Sequence, residues 1–254
     1  MELTGRVAIV TGGGTGIGRA TCEALARAGA AGIVVNYSRS ADSAERTATD
    51  LQGLGSDAIS CKADVTDEQA VAGMVKAAVD RWGRLDVLVN NAATTRFIPF
   101  DDLDAVTDEV WDELLGVNLK GAFRCARLAA PHLRRQRGAI VNIGSTAGLR
   151  ASGSSLPYGV SKAALHHLTR TLAMALAPEV RVNTVAPGTV ATNWYRGRFG
   201  DEKADDLETG VAEATPLRGV ASPEQCAQAI MAFLTSDWVT GNLLVVDGGK
   251  HLVY

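Results

Sequence analysis

The sequence has no CxxC pair, no apolar run long enough for a bilayer and no excess of one charge, and each absence removes a class of function. Its four cysteines, Cys22, Cys61, Cys125 and Cys226, stand far apart. Neither zinc spacing nor a disulfide framework is present, so buried free thiols are expected. His132 and His251 are isolated, and the adjacent His166 and His167 would point to different helix faces, so no metal is expected. With 28 acids mixed among 25 bases the formal charge is −3, and no broad positive field exists to hold a polyphosphate backbone. Nucleic acid is not an expected partner. The start, MELTGRVAIVTGGG, carries an acid at Glu2 and a short apolar run before glycine, which is neither a secretion signal nor a membrane span. The expected location is cytoplasmic, with no membrane partner.

What is present is enough apolar material for a full core: 46% of 254 residues are hydrophobic. Short β-branched runs alternate with longer helical patterns. RVAIVT, GIVVNY, DAISCKAD, LDVLVNNA, GAIVNIGS, VRVNTVAPG and NLLVVDGG read as seven strands. Helical patterns fall at residues 16–29, 41–54, 67–82, about 107–135, 157–177 and 222–236. Several strands are apolar throughout, as expected when helices cover both faces of a parallel sheet. Each link is long enough for a right-handed crossover. No proline- or serine-rich linker, repeat or low-complexity tract divides the chain, so residues 1–254 read as a single α/β domain. Residues 193–215 interrupt the alternation with glycines, acids and aromatics; they are either a lid over a site or a surface excursion.

The first strand runs into TGGGTGIG and then a helix. Glycine opens backbone angles closed to other residues, and amides at a helix start can approach a diphosphate. The spacing is neither GxGxxG nor a triphosphate loop with its lysine; it is TGxxxGxG, with Gly12, Gly16 and Gly18. Taken alone it could be a tight turn, but its place after the first strand favours phosphate binding. A second stretch, SLPYGVSK at 155–162, sets Tyr158 and Lys162 one helical turn apart. Pro157 suits a first helical turn, and Ser161, Leu165, Leu168, Leu172 and Leu176 form the face toward the sheet, with Tyr158 and Lys162 on its flank. To be usable near neutrality a phenol of pKa about 10 needs about 4 kcal/mol of differential stabilisation. A unit charge at about 4 Å in an effective dielectric near 20 contributes a similar amount.

In order along the chain, TGGGTGIG, Asp64-Val65, NNA at 90–92, Asn118, Ser145, Tyr158 with Lys162, and Pro187-Gly188 resemble the short-chain dehydrogenase/reductase family. The resemblance covers essentially the whole chain. It implies a Rossmann-type doubly wound sheet in the order 3-2-1-4-5-6-7, a nicotinamide dinucleotide and a homotetramer built mainly on the helices at 107–135 and 157–177. It also implies residue roles. Tyr158 exchanges a proton with the substrate oxygen, Ser145 hydrogen-bonds that oxygen, Lys162 binds the nicotinamide ribose and shifts Tyr158, and Asn118 holds a water linking Lys162 to solvent. Gly12, Thr15, Gly16, Ile17 and Gly18 would form the cofactor loop. Asp64 would meet the adenine, unless it caps the following turn, Val65 would cover the ring, and Asn91 and Ala92 would line the adenosine ribose. Pro187, Gly188, Val190 and Thr192 would hold the nicotinamide. The family's usual NNAG is NNAA here, with Ala93 adding a methyl.

Selection against a 2′-phosphate normally rests on an acid at the end of the second strand. Here that strand ends in Asn36, Tyr37, Ser38 and Arg39, and Arg39 offers a planar charged fork, so NADP(H) is expected over NAD(H). The expected function is reduction of a small-molecule ketone to a secondary alcohol, as in the 3-oxoacyl-carrier-protein reductases. The stretch ATTRFIPFDDLD after NNA differs from the NITRD frequent in those enzymes, which leaves sugar, steroid and xenobiotic ketones open. The alternatives are an NAD-dependent alcohol or sugar dehydrogenase, and a non-catalytic dinucleotide-binding scaffold or redox sensor. Within 193–215, Trp194, Tyr195, Arg196 and Arg198 are candidate substrate contacts.

Overall fold

Alternating side-chain direction along each strand decides the layers. In β1 (Val7–Val10), Ala8 and Val10 enter one buried cluster while Val7 and Ile9 enter the other. The same division holds in β2 (Gly32–Tyr37), where Ile33 and Val35 face one way and Val34 the other. Successive side chains of a strand point to opposite faces, so a strand apolar at every position needs a cover on both sides. Helices α1 (Gly16–Arg27), α2 (Ala41–Gly53) and α9 (Pro223–Thr235) cover one face through Leu25, Leu51 and Ile230. Helices α3 (Glu68–Trp82), α5 (Ala122–Gln136) and α6 (Leu156–Leu176) cover the other through Met74, Leu133 and Leu176.

A computed structural model of the chain describes residues 1–253, and the side chains of Asn193, Tyr195 and Arg198 lie outside the described residues. The remaining strands are β3 (Asp57–Lys62), β4 (Val87–Asn90), β5 (Ala139–Ile143), β6 (Arg181–Pro187) and β7 (Leu243–Val246). All pairings are parallel, in the order β3-β2-β1-β4-β5-β6-β7, as the family resemblance implies. Strand order reverses between β1 and β4, which opens a crevice at their carboxyl ends.

Local signals set the helix ends. Asp67 accepts hydrogen bonds from the N–H groups of Gln69 (2.8 Å) and Ala70 (3.2 Å) at the start of α3. Ser222 and Gln225 form a reciprocal capping box on α9. Three features differ from the sequence reading. The pattern at 107–135 is α4 (Asp108–Leu115) and α5 joined by a π-helical turn, Gly116–Gly121. Residues 193–215 are largely helical, as α7 (Asn193–Phe199) and α8 (Asp201–Ala214); the acids suit a helix start and Gly200, at φ 82°, forms the corner. The buried face of α6 takes in Lys162, His166 and Thr169, leaving Leu168 half-buried. Cys22, Cys125 and Cys226 are buried free thiols, whereas Cys61 is half-buried. Among the described residues no helix is long and apolar enough to cross a membrane.

Candidate active site

The glycine turn after β1 is held from behind by buried polar side chains. Gly12 (φ 62°) and Gly16 (φ 51°) occupy the left-handed region, where a Cβ is strained. A Cβ on Gly18 would collide with the Gly12 carbonyl and stand 2.7 Å from Asn91 Nδ2. Gly18 is therefore a packing residue behind the turn, while Gly12, Gly14, Thr15, Gly16 and Ile17 face the cleft. Asn36 Oδ1 accepts from the Gly12 N–H at 3.2 Å, and its Nδ2 donates to the Ala63 carbonyl at 2.9 Å. One buried asparagine thus joins the glycine turn to the ends of β2 and β3. Asn91 Nδ2 donates to the carbonyls of Thr11 (2.9 Å) and Gly12 (3.0 Å), while Thr11 Oγ1 accepts from the N–H groups of Asn91 and Ala92, both at 2.9 Å. Thr15 makes no side-chain cap and no acid sits in the first turn of α1, so its amide donors and positive dipole end are left for an anion. A glycine-lined turn with uncapped amides fits a dinucleotide diphosphate.

A cleft of about 1650 Å³ runs over this turn along the carboxyl ends of the strands. At one end Tyr37, Ser38 and Arg39 face Asp64, Val65 and Lys62; Tyr37 and Lys62 are register partners across β2 and β3. The run from Asn36 to Ser40 carries no acid, and Lys62 adds a second cation at this end that no local motif marks. Asp64 caps its own turn, accepting from the N–H (2.8 Å) and hydroxyl (2.7 Å) of Thr66, and also lines the cleft. These hydrogen bonds, aided by the charges of Arg39 and Arg124, hold its carboxyl below the usual carboxylate range. Asn91, Ala92 and Ala93 line the middle, and Ala93 keeps a negative φ, so its extra methyl imposes no backbone strain.

At the carboxyl end of β5 the sheet meets α6 through a polar ladder. Asn142 Nδ2 donates to Thr169 Oγ1 at 2.8 Å, Lys162 Nζ to the Ile143 carbonyl at 2.8 Å, and the Ser145 N–H to His166 Nε2 at 3.4 Å. Lys162 is only 2% exposed; it lies inside the packed face rather than on its flank, because its stem crosses the helix–sheet contact to reach the strand end. Burial pushes its pKa down to about 8. Its Nζ lies 5.8 Å from the Tyr158 ring centre, and Ser145, Tyr158 and Lys162 open on the same cleft. Ser145 Oγ accepts from the Ala147 N–H at 3.1 Å, which leaves its own hydrogen to donate to an oxygen in the cleft.

Asn118 is elsewhere. It is buried behind the cleft in the π-helical turn, where its Oδ1 accepts from the Thr94 N–H (2.9 Å) and its Nδ2 donates to the Thr94 carbonyl (3.1 Å) and Ser161 Oγ (3.0 Å). Ser161 Oγ donates in turn to the Tyr158 carbonyl at 2.7 Å. The Asn118 side chain is therefore a clamp between the 94 segment and α6, and its amide is committed to protein partners.

Pro187, Gly188, Val190 and Thr192 follow β6 along the far wall. Thr192 caps α7, accepting from the Trp194 N–H at 3.3 Å, and a Cβ on Gly16 would stand 3.3 Å from its methyl. The segment from Thr192 onward thus begins against the glycine turn. Trp194 lies 6.4 Å from the Tyr158 ring and Phe199 meets Phe97 edge-on at 4.9 Å. Arg196 does not line the cleft; it pins α7 to α8 through Asp205 (2.7 Å), Glu208 (3.3 Å) and Asp201 (3.5 Å). The proposed contacts by the Tyr195 and Arg198 side chains fall outside the described residues.

A parallel sheet in this order, a glycine turn for a diphosphate and a Ser145–Tyr158–Lys162 grouping define a nucleotide-dependent oxidoreductase. A family model described as enoyl-(acyl carrier protein) reductase matches residues 12–251. Ketoacyl reductase 2 of the granaticin polyketide synthase of Streptomyces violaceoruber is 43% identical over 97% of this chain and 96% of its own. Versicolorin reductase of Emericella nidulans is 36% identical over 98% of this chain and 96% of its own. Among solved structures, a 7α-hydroxysteroid dehydrogenase complexed with NADH and 7-oxo glycochenodeoxycholic acid superposes with a TM-score of 0.88 at 32% identity, covering 98% of this chain and 95% of that one. The chain belongs to the short-chain dehydrogenase/reductase family, oxidoreductases that use a nicotinamide dinucleotide on C=O and CH–OH groups.

Proposed function

We propose that this protein reduces a ketone to a secondary alcohol with NADPH. The observation that carries the reading is the buried Lys162 beside Tyr158, opening with Ser145 on one cleft. In this reading Ser145 Oγ donates to the carbonyl oxygen while the Tyr158 hydroxyl delivers the proton. Taken from the ring centre, about 6 Å away, and at an effective dielectric near 20, an ammonium stabilises a phenolate by on the order of 3 kcal/mol, against the roughly 4 kcal/mol needed near neutrality. A bound dinucleotide supplies the hydride and, when oxidised, further positive charge. Lys162 keeps its place through the Ile143 carbonyl, and Asn118 keeps α6 and the 94 segment in register. The names of the relatives, ketoacyl reductase and versicolorin reductase, and the 7-oxo compound on the solved neighbour run in the same direction.

NADPH is favoured by Arg39 and Lys62 flanking a strand end without an acid. Each cation offers charge-assisted hydrogen bonds to a 2′-phosphate. Arg39→Ala should raise the KM for NADPH about 10- to 100-fold, the value of about one such bond, with little change for NADH, and Lys62→Ala should do so several-fold. Steady-state kinetics with both cofactors read this, and a wild type preferring NADH overturns the cofactor assignment. Tyr158→Phe should abolish ketone turnover while retaining NADPH fluorescence enhancement; equal turnover by the two proteins overturns the reductase reading. The same reading has a cytoplasmic homotetramer. Phe123, Val160 and Met174, exposed on α5 and α6, form the apolar faces that subunits would cover.

A further inference from the structure

The substrate end of the cleft is walled by rings. A molecule whose oxygen reaches Tyr158 lies beside the indole of Trp194, 6.4 Å away and tilted by 52°. Phe97 and Phe199, edge-to-face at 4.9 Å, tie the segment after β4 to α7, and Leu207 and Val211 of α8 continue the apolar surface. Of the charged groups that line this end, Glu113 is paired with Arg96 (2.7 Å) and Lys250 donates to the Ala214 carbonyl (3.3 Å). Such walls offer face and edge contacts to a flat skeleton, and a rigid ligand loses less rotamer freedom on binding than an acyl chain. Resting on the ketone-reductase reading, we propose that the substrate ketone is carried on a flat, fused-ring skeleton rather than a flexible acyl thioester.

The test compares 1-tetralone with acetoacetyl-N-acetylcysteamine under saturating NADPH. The expected kcat/KM is at least tenfold higher for the tetralone, and Trp194→Ala should lower the tetralone-to-thioester ratio at least fivefold. A preference for the thioester, or a ratio unmoved in the variant, overturns the fused-ring assignment and leaves ketone reduction standing. Reduction of neither compound overturns both.

An independent observation concerns His166, 5% exposed and one turn beyond Lys162. The segment carrying Ser145 wraps its ring: a Cβ on Gly144 would collide with Nε2, and one on Gly148 would stand 2.6 Å from Cε1. Because Nε2 accepts the Ser145 N–H at 3.4 Å, the neutral ring carries its proton on Nδ1, a buried atom with no hydrogen-bond partner. Burial, with the charges of Lys162 and Arg170, pushes the pKa down to about 4 and keeps the ring neutral. The geometry assigns His166 as a positioning residue that sets the Ser145 backbone, and through it the hydroxyl that meets the substrate oxygen.

Gln at 166 places an amide oxygen near the Nε2 position, whereas Asn is too short to reach it and Leu has no acceptor. His166→Asn and His166→Leu should lower kcat at least tenfold with the KM for NADPH within twofold, and His166→Gln should recover kcat to within threefold of wild type. Wild-type kcat in either short or apolar variant, or equal losses in all three, overturns the assignment.

Discussion

Lys162 shows what one buried side chain costs a stable protein. Its pKa falls from 10.5 to about 8 through burial, which corresponds to roughly 3 kcal/mol spent on keeping the ammonium charged inside the helix–sheet contact. The unfolded lysine holds its proton up to about pH 10.5 and the folded one releases it near 8, so between those values the unfolded state binds more protons and stability rises with pH. Lys162→Met should abolish turnover, and wild type should gain stability relative to this variant as pH climbs from 8 to 10.5, read as urea midpoints at both ends. His166 works on the other side of neutrality. Its folded pKa of about 4 lies below the ordinary 6.5; the unfolded chain takes up the proton first, and stability is lost as pH falls through that window, by roughly 3 kcal/mol at most. His166→Gln should flatten that acid limb in a pH series of thermal melts.

Among the elements, the glycine turn depends on contacts that its own sequence does not contain, whereas the 193–215 segment is held largely by contacts within itself. Gly18 is fixed by the Gly12 carbonyl and Asn91 of another strand end, so Gly18→Ala should destabilise by about 1–3 kcal/mol and weaken NADPH binding at least tenfold, measured by melting and fluorescence titration. The turn was legible because TGxxxGxG follows an apolar strand. Its supports, Thr11 and Asn36, were not, since a threonine or asparagine at a strand end carries no signal of which backbone it will bind. The 193–215 segment was legible only as an interruption. Its helical form follows from capping by Thr192 and from the three acids that gather on Arg196. Arg196→Ala should raise the substrate KM while leaving the NADPH KM and the global unfolding transition unmoved, because exposed ion pairs organise local geometry more than they stabilise the whole.

For the whole molecule, stability resides in a sheet buried on both faces. Ile9 has no exposed surface and lies on β1, an interior strand of the order β3-β2-β1-β4-β5-β6-β7; Ile9→Ala should cost about 2–5 kcal/mol in chemical denaturation. If the faces of α5 and α6 are subunit contacts, Phe123→Glu should shift the mass in light scattering from a tetramer to a smaller species. Strand count was readable from periodicity, because burial on two faces demands apolar residues at every strand position, whereas the break between α4 and α5 and the helices α7 and α8 were not. Strand order was available only through family resemblance, since periodicity is the same for any arrangement of parallel strands.

By itself the sequence determined the alternating architecture, the glycine turn and the one-turn spacing of Tyr158 and Lys162, because each is written in residue type and spacing along a single element. Tertiary structure alone decided that Lys162 is buried, that Asn118 is a clamp, that Lys62 joins Arg39, and that His166 sits beneath Ser145. Those outcomes depend on which residues of separate strands and helices are brought within hydrogen-bonding distance, and no local pattern encodes a contact between segments that meet only when the sheet has closed its crevice.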